Sequence, residues 1–411
     1  MGCMFTPKDL HIDPAARAAI PERPVTELEV GSITSQALFS IFQGEAATTI
    51  VSPPGGGKST CIGEIAVFLL EQTDLKFEIA CPTRDGAWAL AAKIGALMAE
   101  RHPGEKSSVL FHIKMDPPEN VATKIGECAK RRVGVRTLAS AAMSQPELDL
   151  LIVDEAFQTT YAQLAVAADK CEQILMVGDS GQIGPVVTSD TRVFASRAVK
   201  PESRAPEPFI AKGYPVLNID RTFRLGPDTV DAIAPLYDFD FASARPEVSL
   251  RRGRRTLPEI TSIAMDPVDT PEAFDVAHAV ADRAEALLQC QVHTEVGATA
   301  MTPAQLAVVV AHNAQVSAVA AVLEKRGIEG TAVGTADSLQ GGQWNAVIAV
   351  DPLTGYREPK GHQLHPGRLC VMASRHIAHL SWIHPVDWAE VLDTSEDDVE
   401  TIRAVRESLT A

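Results

Sequence analysis

Ten residues, VSPPGGGKST from Val51 to Thr60, constrain this chain more than any other stretch. A short apolar run, Thr48-Thr49-Ile50-Val51, precedes them and a helix-like segment, residues 61–72, follows. The order is therefore strand, glycine loop, helix N-terminus, the setting of a P-loop in an α/β fold. Gly55, Gly56 and Gly57 let backbone N–H groups turn inward around phosphate oxygens, where side chains with a Cβ would obstruct them. Pro54 leads into that cradle, Lys58 supplies a point charge for the β- and γ-phosphates, and Ser59 offers a hydroxyl to Mg2+. Thr60 and the helix start add the positive end of the helix dipole. ATP with Mg2+ is the expected ligand. The pattern G-x-x-x-x-G-K-[ST] is broken only at its first position, where Ser52 replaces glycine.

The chain has 411 residues, 45% of them hydrophobic, enough for two or three domains with buried cores. No apolar run reaches the roughly 18–20 residues that span a bilayer, so no membrane partner is expected. The first residues, MGCMFTPKDLHIDP, lack a basic segment followed by an apolar core, and Gly2-Cys3 is not followed by a myristoylation pattern. A cytoplasmic location is the expectation. Seven cysteines, dispersed and never in C-x-x-C spacing, argue against a disulfide framework and against a zinc cluster. The net charge of −16 repels nucleic acid at long range, so any nucleic-acid path must be a local groove.

Along the chain, a helix around residues 36–42 begins with Gln36, which is either a solvated amide or a reader of an adenine edge. The strand at 77–81 ends in Pro82-Thr83-Arg84, where Thr83 either caps the next helix or touches a ligand at the carboxyl end of a parallel strand. Lys130-Arg131-Arg132 reads as a solvated face, and the strand at 133–138 ends near Thr137. Residues 148–156, LDLLIVDEA, deliver Asp154 and Glu155 to a sheet edge about 95 residues after Lys58. There the first carboxylate can hold Mg2+ and the second can orient or deprotonate a water. Residues 173–187 repeat the pattern with Asp179 and Gln182, a polar loop suited to sensing a γ-phosphate. A Pro-rich linker at 195–213 separates this unit from a second strand and helix alternation running from 215 to 383. Its one dense basic run, Arg251-Arg252-Gly253-Arg254-Arg255, is equally readable as a phosphate contact or a solvated loop.

In order, these segments resemble the motifs of superfamily 1 helicases, from Gln36 to about Pro385. Gln36 is similar to the Q motif, residues 52–59 to motif I, 81–86 to motif Ia, and 154–157 to motif II. GDSGQIGPVV at 178–187 is similar to motif III of the branch that includes the nonsense-mediated-decay helicase. Arg221-Thr222-Phe223-Arg224 resembles a segment in which an aromatic stacks on adenine and an arginine reaches the γ-phosphate, roles that would fall to Phe223 and Arg224. Residues 336–343 resemble motif V, and 368–376 motif VI, whose Ser-Arg-His ending also resembles superfamily 1 helicases of positive-strand RNA viruses. Gln343 stands where the family has Glu, and Ile377 where many members have a second arginine. The span between Lys58 and Asp154, and that between Arg224 and Asp337, leave no room for large inserted domains.

The resemblance implies two tandem RecA-like domains with parallel sheets, residues 1–205 and 206–411, and ATP in the cleft between them. It implies a monomeric ATP-hydrolysing motor, helicase or translocase, moving 5′-to-3′ on single-stranded RNA or DNA. Lys58, Asp154, Glu155, Gln182, Arg224 and Arg375 would be catalytic, with Ser59 and Asp154 on the metal. Gln36, Pro54, Gly55, Gly56, Gly57, Thr60, Phe223 and Gln343 would complete the nucleotide site. Pro82, Thr83, Thr137, His312, Asn313, Thr335 and Ser338 would line the nucleic-acid strand, and a protein partner would supply a basic path or wedge. The alternative is a regulatory P-loop ATPase switch that binds a protein without tracking along a strand, which the acidic charge favours.

Overall fold

The computed structural model describes residues 28–395 and 399–411. The readings of Gly2-Cys3 and of most of the Pro-rich start lie outside the described residues. Seven parallel strands make the first sheet: β1 (Ala47–Val51), β2 (Phe77–Cys81), β3 (Ser107–Phe111), β4 (Cys128–Thr137), β5 (Leu148–Val153), β6 (Cys171–Gly178) and β7 (Val216–Asn218). Their order is β3-β4-β2-β5-β6-β1-β7. Strands such as LDLLIV carry consecutive apolar residues because helices cover both faces. Helices Ile33–Gln43, Lys58–Gln72 and Arg84–Arg101 join one core through Leu38, Ile62, Ile65, Leu90 and Ile94. Helices Leu138–Ser144 and Tyr161–Ala167 close the other face through Leu138, Ala141 and Leu164.

This order places β5, β6 and β1 side by side, so their carboxyl ends deliver Asp154, Asp179 and the glycine loop to one edge. β7 pairs with β1 in parallel register, Thr49 opposite Val216. The boundary expected at 205/206 therefore falls before the chain has left the first sheet, and it crosses over only after Asn218. A three-residue edge strand is too short to show a period, which is why its partner was not legible.

A two-stranded ladder of β8 (Arg221–Thr222) and β9 (Ala242–Ser243) follows. Then comes an antiparallel hairpin, β10 (Val248–Arg252) and β11 (Arg255–Thr256). Next are β12 (Ile260–Met265), β13 (Gln291–Thr294), β14 (Gly297–Ala300), β15 (Leu306–Val310), β16 (Ala332–Thr335), β17 (Trp344–Val350) and β18 (His376–Pro385). The second large sheet is parallel throughout, in the order β12-β18-β17-β15-β16. A separate antiparallel sheet, β11-β10-β13-β14, uses part of the span judged too short for a large insertion. Helices Phe274–Leu288 and Asn313–Lys325 cover one face of the second sheet. Helices Pro227–Ile233, Pro366–Ala373 and Glu400–Thr410 cover the other.

The two units share an apolar seam, since Ile183 belongs to the same buried cluster as Leu225, Val230 and Leu369. The last helix docks through Ile402, Val405 and Leu409, and through a buried bidentate pair. In that pair Arg406 Nε and Nη2 donate to Asp351 Oδ2 and Oδ1 at 2.9 and 3.1 Å.

Candidate active site

Two backbone features build the cradle. Gly57 has φ +88°, a left-handed conformation that favours glycine, and from it the helix Lys58–Gln72 starts. Gly55, at φ +74°, is approached so closely by the segment at 221–224 that a Cβ there would collide with the Arg224 side chain. Ser52, the departure from the loop pattern, is fully buried and satisfied: its N–H donates to Gly178 O at 2.9 Å, and its hydroxyl to Pro53 O at 2.9 Å. The serine thus ties the loop to β6.

Beside the cradle, β5 ends in Asp154, 7% exposed, whose N–H donates to Ala80 O on β2 at 2.9 Å. Glu155 follows at φ 50° and ψ 42°, a left-handed conformation that costs a non-glycine residue about 1–3 kcal/mol. It is held by Asp154 Oδ1, which accepts the Glu155 N–H at 2.9 Å. Lys58 Nζ lies 3.5 Å from Glu155 Oε1. Burial, reinforced by the neighbouring Glu155 charge, pushes the Asp154 carboxyl up to about 7, against the pull of Lys58. Burial lowers the Lys58 ammonium, but Glu155, Asp179 and Asp154 outweigh it and hold its pKa above the ordinary lysine value.

Asp179 sits at the end of β6, 1% exposed, and organises a chain of hydrogen bonds. Tyr237 OH and Gly181 N–H donate to its Oδ1 at 2.9 and 3.0 Å, and Gln182 Nε2 donates to its Oδ2 at 2.6 Å. Gln340 Nε2 in turn donates to Gln182 Oε1 at 3.2 Å. Tyr237 and Gln340 belong to the second unit, so a loop of the first sheet is gripped from across the cleft. Burial first, then the charge on Asp179, keeps the Tyr237 phenol protonated well beyond its usual range, as a donor must be.

Two arginines of the second unit face these carboxylates. Arg224 donates through Nε to Gln343 Oε1 at 3.1 Å and through Nη1 to Ser374 O at 3.4 Å. Burial and the nearby Arg375 charge lower its pKa to about 10, opposed by Asp179 and Glu155. Arg375 is 2% exposed, and its Nε and Nη2 have no hydrogen-bond partner. Its charge is felt by Asp179 and Glu155, and burial lowers its pKa. Two orphaned guanidinium donors, whose charge interacts with those of Asp179 and Glu155, fit an anion with several oxygens, such as a nucleotide triphosphate. The buried Asp154 carboxyl, the half-buried Glu155 beside it, whose charge repels its own, and the exposed Ser59 fit a divalent cation between protein and phosphate. Among the described residues no cluster of three or more His, Cys, Asp or Glu forms a metal cage.

The structure thus brings together residues 54–59, Asp154, Glu155, Gln182, Arg224 and Arg375. Phe223 joins them at the rim: its N–H donates to Gly55 O at 3.0 Å, and it is 53% exposed. Thr60 is occupied differently, accepting from Lys93 Nζ at 2.6 Å. Gln36 is exposed and turned back on its own helix start, donating to Gly31 O at 2.7 Å. Of the two readings of Thr83, the cap is what forms, with Oγ1 accepting Gly86 N–H at 3.1 Å, and Thr137 likewise caps through Ser140 N–H at 3.2 Å.

Pro82, Thr83 and Thr137 lie at the carboxyl ends of β2 and β4, and His312, Asn313, Thr335 and Ser338 at those of β15 and β16. His312 is engaged by Tyr356 OH at 2.7 Å and stacks on His362, while Thr335 and Ser338 bond each other. Sequence reasoning missed Tyr237 and Gln340. Gln340 lay inside the segment compared with motif V, but Tyr237 had only its place in an aromatic cluster, Tyr237-Asp238-Phe239-Asp240-Phe241, to mark it.

Comparison with known proteins gives three findings. A family model described as an AAA domain matches residues 35–202. No curated protein matches the chain. Among solved structures, the helicase of PRRSV is similar with 16% identity and a TM-score of 0.45, covering 85% of this chain and 54% of that one. Arterivirus nonstructural protein 10 (helicase), solved in complex with DNA, is 15% identical with a TM-score of 0.45, covering 86% of this chain and 64% of that one. A crystal structure of Arterivirus nonstructural protein 10 (helicase) is 14% identical with a TM-score of 0.46, covering 91% and 67%. The chain spans about half to two thirds of the length of these helicases. Residues 35–202 are thus similar to an AAA domain, and in this structure they carry the glycine loop on a parallel α/β sheet.

Proposed function

We propose that this protein is an ATP-hydrolysing motor of the superfamily 1 helicase type, acting on single-stranded nucleic acid as a translocase or helicase. The observation that carries the reading is Arg375, a buried cation whose Nε and Nη2 have no hydrogen-bond partner and whose charge interacts with those of Asp179 and Glu155. Lys58 and the N–H groups of residues 55–59 bind the β- and γ-phosphates. Ser59 and Asp154 would hold Mg2+, which would supply a positive charge to neutralise that of the phosphates. Glu155 orients the attacking water and takes its proton as the bond from the γ-phosphorus to the β,γ-bridging oxygen breaks. Arg224 and Arg375 balance the charge that develops on that oxygen and on the transferred group. Gln182 senses the γ-phosphate through Asp179 and passes its presence to Gln340. Phe223 stacks on the base and Gln343 positions Arg224.

Both arginines come from beyond Asn218, so the site is complete only while the two units are apposed, and hydrolysis is thereby coupled to their movement. The proposed domain division accordingly moves from 205/206 to the crossover after Asn218. Residues at the carboxyl ends of β2, β4, β15 and β16 present the strand groove, and the polarity implied by the resemblance is 5′-to-3′. A second reading, an ATPase switch for a protein partner, is favoured by one observation, the net charge of −16.

ATP turnover measured with and without poly-ribo and poly-deoxyribo single strands tests the proposal. Severalfold stimulation by either is expected, and no stimulation by any polymer would transfer the site to the switch reading.

A further inference from the structure

The basic run at 251–255 is not part of the nucleotide site, and the structure gives it a defined form. β10 and β11 pair with Arg252 opposite Arg255, leaving Gly253 and Arg254 as a two-residue turn. Gly253 occupies the first turn position at φ +61°, where a tight hairpin calls for glycine. The four arginines are therefore displayed on a short paired ribbon. Cross-strand neighbours lie about 4.5–5.5 Å apart at Cβ, and like charges in that position are destabilising.

Nothing among the described residues neutralises them. In a chain with 53 acidic and 37 basic residues, Arg131, Arg136, Arg245, Arg326, Arg368 and Arg406 each have a carboxylate within ion-pair distance. None of the described ion pairs involves Arg251, Arg252, Arg254 or Arg255. Arg252 donates only to the neutral amide of Gln289, and the buried Nε of Arg251 has no hydrogen-bond partner. Arg252, Arg254 and Arg255 are exposed.

The location separates this ribbon from the expected strand groove. Helix Phe274–Leu288 returns from the carboxyl end of β12, so Gln289 and the ribbon beside it lie toward the amino ends of the parallel strands. His312, Asn313, Thr335 and Ser338 follow the carboxyl ends.

We propose that the β10–β11 hairpin is a second nucleic-acid contact, a guanidinium cluster that grips phosphodiester groups of a strand outside the motor's groove. Guanidinium groups match phosphate oxygens bidentately, and a ribbon already paired loses little freedom on binding. Such a clamp also answers the acidic charge, because it supplies locally the attraction that the molecule as a whole lacks. It rests on the motor reading for the kind of partner, but not for its geometry.

The test is binding of a labelled single-stranded oligonucleotide by the full chain over a salt titration, with a variant carrying Arg252→Gln, Arg254→Gln and Arg255→Gln. The variant should bind about 10- to 100-fold more weakly at low salt. Its slope of log affinity against log salt should be shallower by roughly 0.7 for each phosphate it no longer neutralises, while polymer-free ATP turnover is unchanged. Arg254→Lys with Arg255→Lys should retain most of the slope. Wild-type binding with an unaltered slope in the glutamine variant would overturn the clamp and leave the motor reading standing. A wild type that binds no strand would overturn both. Loss in the variant of binding to anionic phospholipid vesicles, with oligonucleotide binding intact, would overturn the nucleic-acid assignment.

Discussion

Replacing Arg375 by Met separates a catalytic cation from a structural one, because the two roles predict opposite signs. The guanidinium is 2% exposed, and its Nε and Nη2 have no hydrogen-bond partner among the described residues. Removing a buried charge that lacks a hydrogen-bonded partner relieves desolvation, and Met fills similar volume, so stability should hold or rise. The same two donors, engaged by a developing phosphoryl charge, are worth about 1.5–3 kcal/mol each as charge-assisted hydrogen bonds. Together they make about 3–6 kcal/mol, and at 1.4 kcal/mol per decade kcat should fall by roughly 10²–10⁴. ATP binding, held mainly by the P-loop, should weaken far less. Arg375→Lys should not restore the rate, since an ammonium cannot present two forked donors. The assays are thermal unfolding, fluorescent-nucleotide binding and steady-state turnover with saturating single strand. A marked loss of stability with kcat within a few-fold of wild type would show that Arg375 is a packing residue and refute the reasoning.

Three further outcomes follow from particular contacts. Tyr237→Phe removes one donor to the Asp179 carboxylate, worth about 1.5–3 kcal/mol, and should lower strand-stimulated kcat by roughly 10–100-fold with ATP KM little changed; equal losses in both parameters would make Tyr237 a binding residue. Asp351→Ala strands the buried Arg406 guanidinium and should cost about 3–5 kcal/mol in denaturant unfolding, whereas Asp351→Leu with Arg406→Met should recover most of it; a single variant as stable as wild type would contradict this. The Asp154 carboxyl is raised from 3.8 to about 7, so the folded state holds a proton there that the unfolded state has released. Its contribution to stability is therefore highest below the ordinary carboxylate value, declines as pH rises toward 7, and is lost above it. On the proposed metal role Mg2+ would need the ionised form, so affinity for Mg2+ with nucleotide should move the other way, weakening as pH falls through about 7. Asp154→Asn should flatten both profiles, and unchanged profiles would remove Asp154 from the metal site.

The placement of the glycine loop and of the acids at one sheet edge was legible because these features are local. A glycine loop between strand and helix, and acids directly after apolar strands, are set by neighbours in sequence and by the buried period of parallel strands. Thr83 and Thr137 sat at strand ends as expected, yet their hydroxyls were claimed by the adjacent helix starts, an equally local alternative. Gln36 turned to Gly31, because the nearest unsatisfied carbonyl competes with any distant ligand.

From sequence alone came the two α/β units, the glycine loop between strand and helix, the acids at 154 and 155, and Arg224 and Arg375 as candidates. Only tertiary structure decided that β7 completes the first sheet, that Tyr237 and Gln340 hold the Asp179–Gln182 loop, and that Arg406 anchors the last helix on Asp351. Those contacts join residues far apart in the chain through burial, a short parallel ladder and side-chain hydrogen bonds. Neither has a spacing rule, so they exist only once the sheets have packed and water has been excluded from between them.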